Sequence, residues 1–185
     1  FIFYNELEML ELRLKELEEH VDKFVIVEAT TTHTGQPKDL YYAKNAHRYR
    51  RWKDMIVHVG VEIPHNPDDL WDGENAHREA IGKVLKDMNL DPNTKIMISD
   101  VDEITDMSII TDDCWDKPTV CIQYFYEYDI YHRNSGRDWA GTVLCRNYHI
   151  AQSGVQYFRF ARWDLNKIES GWHLSSFGNI DMIYN

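Results

Sequence analysis

The chain has 185 residues, 43% hydrophobic and 13% aromatic, a composition typical of one globular domain with a buried core. Its formal net charge of −11 argues against nucleic acid as the main partner. No apolar run reaches the roughly 18 residues that a membrane span needs, so no membrane segment is predicted.

The first hundred residues alternate between strand and helix patterns. Residues 1–3 resemble a strand, and a capping box of Asn5 and Glu8 predicts the start of a helix. The stripe of that helix recurs at spacings of three and four, through Leu7, Leu10, Leu14, Leu17 and Val21. Apolar runs at 24–27, 55–61 and 95–99 predict strands, and 71–89 predicts a helix. This order predicts an α/β domain with a mostly parallel central sheet.

The second half is rich in aromatic residues and has few helical signals. Residues 119–131, 142–146 and Val155–Ala161 predict strands that extend the sheet in a mixed or antiparallel manner. The three cysteines form no CxxC pair, which argues against structural zinc. Cys121 and Cys145 both lie in strand-like stretches, so a disulfide between them and free thiols are both open.

A cluster of carboxylates directly follows the strand predicted at 95–99. It consists of Asp100, Asp102 and Glu103. Ligands of open α/β sheets bind beyond the carboxyl ends of the strands, and carboxylates gathered there repel one another unless a cation lies between them. Their oxygen atoms suit Mn²⁺ or Mg²⁺, so we predict that Asp100 and Asp102 hold a metal.

Two other interpretations of this cluster stay open. Asp100 or Asp102 could cap the next helix while Glu103 lies in solvent. Two aspartates after an apolar strand also occur in haloacid-dehalogenase-like phosphatases, although Ile104 stands where those enzymes place Thr or Val.

Two further groups of residues are candidates for ligand binding. Glu74 and Arg78 lie four apart on the inward stripe of the helix at 71–89, either as a simple ion pair or with Arg78 on a phosphate. Residues 171–178 read as a tight loop in which Trp172 and His173 are suited to a sugar. His173 is equally compatible with a metal ligand, a donor to a phosphate or an ordinary loop histidine.

These motifs, in this order, resemble glycosyltransferase family 17. The resemblance extends over nearly the whole chain and is carried by residues 5–7, 21–28, 32–38, 100–104 and 171–175, and by Trp71, Glu74 and Arg78. The sequence departs from the family pattern at Thr105, where the family usually has Pro. The family also continues into a further helical segment beyond residue 185, so we expect a C-terminal truncation.

The resemblance implies a GT-A-like nucleotide-sugar-binding fold with Mn²⁺ (or Mg²⁺) as cofactor. It further implies UDP-GlcNAc or a related UDP-sugar as donor, a glycan acceptor, and inversion at the anomeric carbon. A single domain would then span 1–185, with a nucleotide-binding half at 1–103 and an acceptor half at 104–185. The sequence leaves the oligomeric state open, and a catalytically inactive sugar- or nucleotide-binding module is the alternative function.

Within the family, the expected donor is UDP-GlcNAc, and the expected product is a glycan that carries a new N-acetylglucosamine residue. The resemblance gives Asp102 direct contact with the cation and Asp100 contact through water or with the ribose. It places Glu28 on the uracil ring, and Arg78, with His77 beside it, on the nucleotide.

The remaining roles concern the sugar and the catalytic base. Trp172 and His173 would close over the diphosphate-sugar. Inversion requires a carboxylate that takes the proton of the acceptor hydroxyl. Asp181 is the first choice for this base, although helix capping explains it equally well, and Asp129 is the second choice.

Overall fold

The computed structural model describes residues 1–32, 35–64 and 70–177, and it is an α/β structure with two sheets. A three-stranded sheet has the order β1-β2-β3, and a five-stranded sheet has the order β4-β7-β6-β8-β5. The α/β prediction is therefore confirmed. Within the described residues, no helix is both long and apolar enough to cross a membrane.

The first sheet is entirely parallel, with Ile2 opposite Val27 and Val25 opposite Val57. Its strands and the helices around them are β1 (Ile2–Phe3), α1 (Leu7–Leu17), β2 (Phe24–Ala29), α2 (Tyr41–Asn45), a 3₁₀ segment (Ala46–Trp52), β3 (Ile56–Val61) and α3 (Leu70–Asp87). Parallel strands need crossover connections, and here α1 and the α2 region supply them.

The second sheet is mixed. Its elements are β4 (Lys95–Ile98), β5 (Glu103–Ile104), 3₁₀ segments (Met107–Ile109 and Asp112–Trp115), β6 (Thr119–Glu127), β7 (Arg133–Arg146), α4 (Asn147–Ser153), α5 (Val155–Ala161), a 3₁₀ segment (Arg162–Asp164) and β8 (Asn166–Ser175). Strands β6 and β8 are parallel, and the other neighbours are antiparallel. The prediction of one mostly parallel sheet is wrong at β4, because β4 pairs with β7 and so belongs to the antiparallel part.

Two apolar clusters form most of the core. The leucine stripe of α1 packs with Phe3, Phe24 and Tyr49 on one side of the molecule. The inward face of α3, including Ile81 and Leu85, belongs to a second cluster that contains residues of both sheets, such as Val27 and Val143. Both helices bury the stripes that their 3.6-residue periodicity predicts.

Three local predictions are corrected. Residues 155–161 form a helix, because Val155, Phe158 and Arg159 share the inward side at helical spacing, whereas the aromatic content alone favoured a strand. The predicted loop at 171–178 is part of β8 up to Ser175. The capping box of Asn5 and Glu8 is absent, since α1 has no side-chain cap.

Candidate active site

A cleft of about 320 Å³ lies where several strands end. Its walls include Phe3 at the end of β1, Ala29 at the end of β2, Ile63 just after β3 and Asp100 just after β4. The volume is in the range of small-molecule sites, and the carboxyl ends of strands are where α/β sheets bind ligands. The cleft is therefore the candidate active site.

A larger cleft of about 490 Å³ lies at the opposite ends of β2 and β4, near Phe24 and Lys95. Most of its lining is aliphatic or aromatic, and Asp22 is the one carboxylate among the described residues that line it. Its titratable residues, such as His20 and Asp22, form no cluster of carboxylates, and it lies away from the carboxyl ends of the strands, so the smaller cleft is the better candidate.

The acidic cluster after β4 is held by arginine. Arg159 donates from Nη1 to both carboxylate oxygens of Glu103, at 3.0 and 3.1 Å, and from Nη2 to Asp100 Oδ2 at 2.6 Å. Glu103 is fully buried and also accepts from Trp139 Nε1 at 2.8 Å and from the Asp100 backbone N–H at 3.0 Å. Neither carboxylate is left repelling the other, because a cation of the chain itself lies between them.

Arg78 approaches the same cluster from α3. It pairs with Glu74 at 2.6 Å and donates to both oxygens of Asp100 at 3.3 Å, so the predicted inward orientation is confirmed. Burial by itself would raise the pKa of Asp100, but the guanidinium groups of Arg159 and Arg78 outweigh it and hold that pKa below its ordinary value. Asp100 is therefore ionised at neutral pH.

Arg13, on α1, holds the backbone of the acidic turn formed by residues 99–103. It donates from Nη1 to the carbonyl oxygens of Glu103 and Asp100 at 2.7 and 3.2 Å, and from Nη2 to Ser99 Oγ at 2.5 Å. Burial lowers its pKa to about 10, so the group stays charged at neutral pH. A fully buried arginine of this kind holds a turn in one geometry.

Asp102 points to a different partner. Its Oδ2 lies 3.2 Å from His173 Nε2, and its other oxygen contacts no described residue. The His173 ring stacks on Trp139, at 4.4 Å between centroids, and on Phe125, at 5.0 Å, and those two rings also stack on each other at 5.9 Å. His173 Nδ1 is buried and has no hydrogen-bond partner among the described residues.

The donor set fits a divalent cation held mainly by one carboxylate. Asp102 has a free oxygen at the cleft, whereas both oxygens of Asp100 already accept from arginine. No group of three His, Cys, Asp or Glu side chains that could hold a metal exists among the described residues. Magnesium-like cations are commonly held by one or two carboxylates while substrate phosphates and waters complete the shell, and this site has that form.

Glu28 lies next to the cleft but is occupied by its own chain. It is fully buried and accepts from the backbone N–H groups of Tyr41 and Tyr42, from Lys38 Nζ at 3.3 Å and lies 3.0 Å from His58 Nε2. These contacts tie the end of β2 to the start of α2. Contact between Glu28 and uracil remains a prediction.

Trp172 and His173, the two residues predicted to close over the sugar, are neighbours in β8 and point to opposite faces of the sheet. His173 lines the cleft, but Trp172 points to the other face of the sheet, because successive side chains of a strand alternate. Trp172 is 37% exposed, opposite Tyr124 on β6 and Ile104 on β5. Its part in donor binding remains a prediction. His77 does line the cleft, with Nε2 at 2.9 Å from the Val27 carbonyl oxygen.

Of the two candidate bases, Asp129 is not among the residues that line the cleft. Asp129 lies in the turn between β6 and β7, where it accepts from the Tyr131 backbone N–H at 2.8 Å and lies 2.7 Å from His132 Nδ1. The hydrogen bond with His132 lowers the pKa of Asp129. Asp181 lies outside the described residues, so both assignments remain predictions.

Sequence reasoning missed three residues that bond the acidic turn: Arg13, Trp139 and Arg159. Arg13 continues the buried stripe of α1, and a charged residue at that spacing was the available signal. Arg159 was not predicted because residues 155–161 were interpreted as a strand. Nothing in the local sequence distinguishes Trp139, which becomes part of the site only through the pairing of β6 with β7.

The chain matches the profile of Glycosyltransferase family 17 over residues 1–182, which is nearly its whole length. The chain belongs to glycosyltransferase family 17. As a glycosyltransferase of this family, it takes a sugar donor and a glycan acceptor. No curated protein and no solved structure shows a significant match to the chain.

Proposed function

We propose that this family 17 glycosyltransferase is a metal-dependent, inverting enzyme that transfers GlcNAc from UDP-GlcNAc to a glycan acceptor. The observation that carries the proposal is the cleft at the strand ends, where the free oxygen of Asp102 faces the same space as Arg78 and His173. The parallel β1–β3 unit beside it supports a GT-A-like nucleotide-binding arrangement.

Unpaired polar atoms in the walls support a phosphate-bearing donor. Thr31 Oγ1, Arg78 Nε and His173 Nδ1 are buried, line this cleft and have no hydrogen-bond partner among the described residues. Leaving a buried polar group unpaired costs about 1–3 kcal/mol, and Thr31 Oγ1 and Arg78 Nε can each donate to an acceptor of a bound ligand. A diphosphate offers several oxygen acceptors together with the negative charge that a guanidinium prefers.

Each residue then has a defined part in the reaction. Asp102 would hold the cation, which when bound supplies positive charge that stabilises the UDP leaving group. Arg159 and Glu103 keep Asp100 in place, and Arg78 binds the donor from α3. The stacked ring of His173 orients Asp102 and presents Nδ1 to the donor. Asp181, or else Asp129, would take the acceptor proton.

The metal and donor parts of the proposal are tested by calorimetric titration of UDP with and without Mn²⁺. We expect UDP to bind at least about tenfold more tightly with Mn²⁺, because the cation offsets the repulsion between Asp102 and the diphosphate and so couples the two binding events. Asp102→Ala should abolish the difference. Asp116→Ala is the control, because Asp116 is an exposed carboxylate that pairs with Arg146 outside the cleft. Equal UDP binding by wild type in EDTA and in Mn²⁺ would refute metal dependence.

The transfer step is tested by UDP release from a panel of UDP-sugars. UDP-GlcNAc should give the fastest release in the presence of a glycan acceptor, and Asp181→Asn should retain UDP binding while losing turnover. If Asp181→Asn turns over normally and Asp129→Asn does not, the base is Asp129. UDP binding without any release would identify an inactive binding module, and cleavage of aryl phosphates would identify a phosphatase.

A further inference from the structure

Arg162, in the 3₁₀ segment after α5, has an environment unlike that of the other arginines at the site. Its guanidinium lies over the indole of Trp139, with Cζ 4.6 Å from the ring centroid. Its Nη1 is buried and has no hydrogen-bond partner among the described residues. A guanidinium stacked flat on a ring directs its N–H groups outward from its edge, where they can meet an acceptor.

The carboxylates near Arg162 form ion pairs with other arginines. Arg159 pairs with Asp100 and Glu103, and Arg78 pairs with Glu74 and Asp100. No described carboxylate pairs with Arg162. Burial, and then the nearby charge of Arg159, lower the pKa of Arg162, although an arginine stays protonated at neutral pH. Arg162 is half-buried, so its unpaired charge is partly removed from water at a cost that an anionic ligand would relieve.

The ring under Arg162 belongs to the cleft. Trp139 lines the cleft, stacks on His173 and donates to Glu103. Arg162 and His173 therefore lie against the same indole, and Nδ1 of His173 also has no hydrogen-bond partner among the described residues. Arg162 does not itself line the cleft, but its charge acts on Asp100, which does, so an anion bound beside Asp100 lies within its influence.

We propose that Arg162 binds the diphosphate of the nucleotide-sugar donor, as a cation positioned by Trp139. The inference rests on the proposed function and deepens it by assigning a diphosphate-binding residue that the sequence motifs do not include. The positive charge of Arg162 would act together with that of the cation at Asp102, so both would stabilise the negative charge of the donor's diphosphate.

The test compares Arg162→Met and Arg162→Lys with wild type by calorimetry, using UDP, uridine and inorganic pyrophosphate as probes, each with Mn²⁺. We expect Arg162→Met to weaken UDP and pyrophosphate binding by about tenfold or more while uridine binding is unchanged. Arg162→Lys should recover part of the loss, because it keeps the charge but not the planar fork. Thermal unfolding without ligand reports whether each variant is folded.

Arg133→Met is the matched control. Arg133 lies over the Tyr124 ring at 4.0 Å, so the variant removes a similar stacked cation from an exposed site outside the cleft lining. Its UDP affinity should equal that of wild type. UDP and pyrophosphate binding by Arg162→Met at wild-type affinity would overturn the inference, even if its melting temperature fell. If wild type binds pyrophosphate through Arg162 but gains nothing from the uridine moiety, the diphosphate site stands and the UDP-donor proposal fails.

Discussion

Glu103 shows how a carboxylate can be fully buried in this protein. Each of its oxygens accepts from Arg159, and Trp139 and the Asp100 backbone add further hydrogen bonds. A charge removed from water costs several kcal/mol, which these donors must offset. Asp102, the residue before Glu103, takes no part in this network and keeps one oxygen free for a ligand. The two carboxylates thus divide structural and ligand-binding roles.

Replacing Glu103 by Gln tests the structural role. The amide has the same shape, but it leaves the Arg159 cation without its buried partner and places an N–H₂ group against a donor. We expect a loss of about 3–5 kcal/mol in the free energy of unfolding, measured by urea denaturation. Glu11→Gln is the control, because Glu11 pairs with Lys15 on the surface of α1. Its urea midpoint should stay at the wild-type value, and equal midpoints for both variants would contradict the prediction.

At the scale of elements, the pairing of β5 with β8 requires a glycine at the point of contact. Gly171 has φ of +86°, a left-handed conformation that other residues rarely adopt. A Cβ at this position would collide with the Ile104 carbonyl oxygen and lie 2.8 Å from the Thr105 Cα. The backbone of β8 must pass this close to bring His173 opposite Glu103. The glycine therefore helps to place two residues of the site.

Gly171→Ala should destabilise the protein by at least about 2 kcal/mol, since it combines an unfavourable φ with a backbone collision. Gly136→Ala provides the comparison within the same sheet, because a Cβ there meets only Asn134 Oδ1, at 3.8 Å. Thermal unfolding of both variants measures the difference. A melting temperature of Gly171→Ala that matches that of Gly136→Ala would show that β8 can shift away from β5 at little cost.

At the scale of the whole molecule, the second sheet separates two apolar layers. Cys145 packs with the layer that contains α3, whereas Cys121 packs with Cys114 and Trp115 on the other side. All three cysteines are free and buried. The disulfide that the sequence left open between Cys121 and Cys145 does not form, because their side chains point to opposite faces of the sheet.

The buried thiols predict a loss of stability at alkaline pH. Burial raises the pKa of Cys121 and Cys145 from 9.0 to about 12, so in the folded protein they stay neutral where unfolded thiols ionise. The contribution of these two thiols to the free energy of unfolding is fully present below pH 9.0 and is lost as the pH rises toward 12. By about pH 10.5, each thiol should have lowered the free energy of unfolding by about 2 kcal/mol.

Cys145→Ala isolates this effect. The variant should be less stable than wild type at about pH 8, because it leaves a small cavity, but its urea midpoint should fall less between about pH 8 and pH 10.5. Lysine and tyrosine titrations are common to both proteins and cancel in the comparison. Parallel declines of the two midpoints would show that the Cys145 thiol ionises as easily in the folded protein as in the unfolded one.

The sequence by itself determined the α/β class, the stripes of α1 and α3 and the strand that delivers Asp100 and Asp102, because periodicity and strand-end carboxylates are local properties of the chain. The ordered motifs also pointed to the family that the profile confirms. Only the tertiary structure decided that β4 joins the antiparallel sheet and that residues 155–161 are helical, since packing against α3 and the strands outweighs local propensity there. It also decided which carboxylate is free, because Arg13, Arg159 and Trp139 reach the acidic turn from distant parts of the chain, and such contacts leave no local signal.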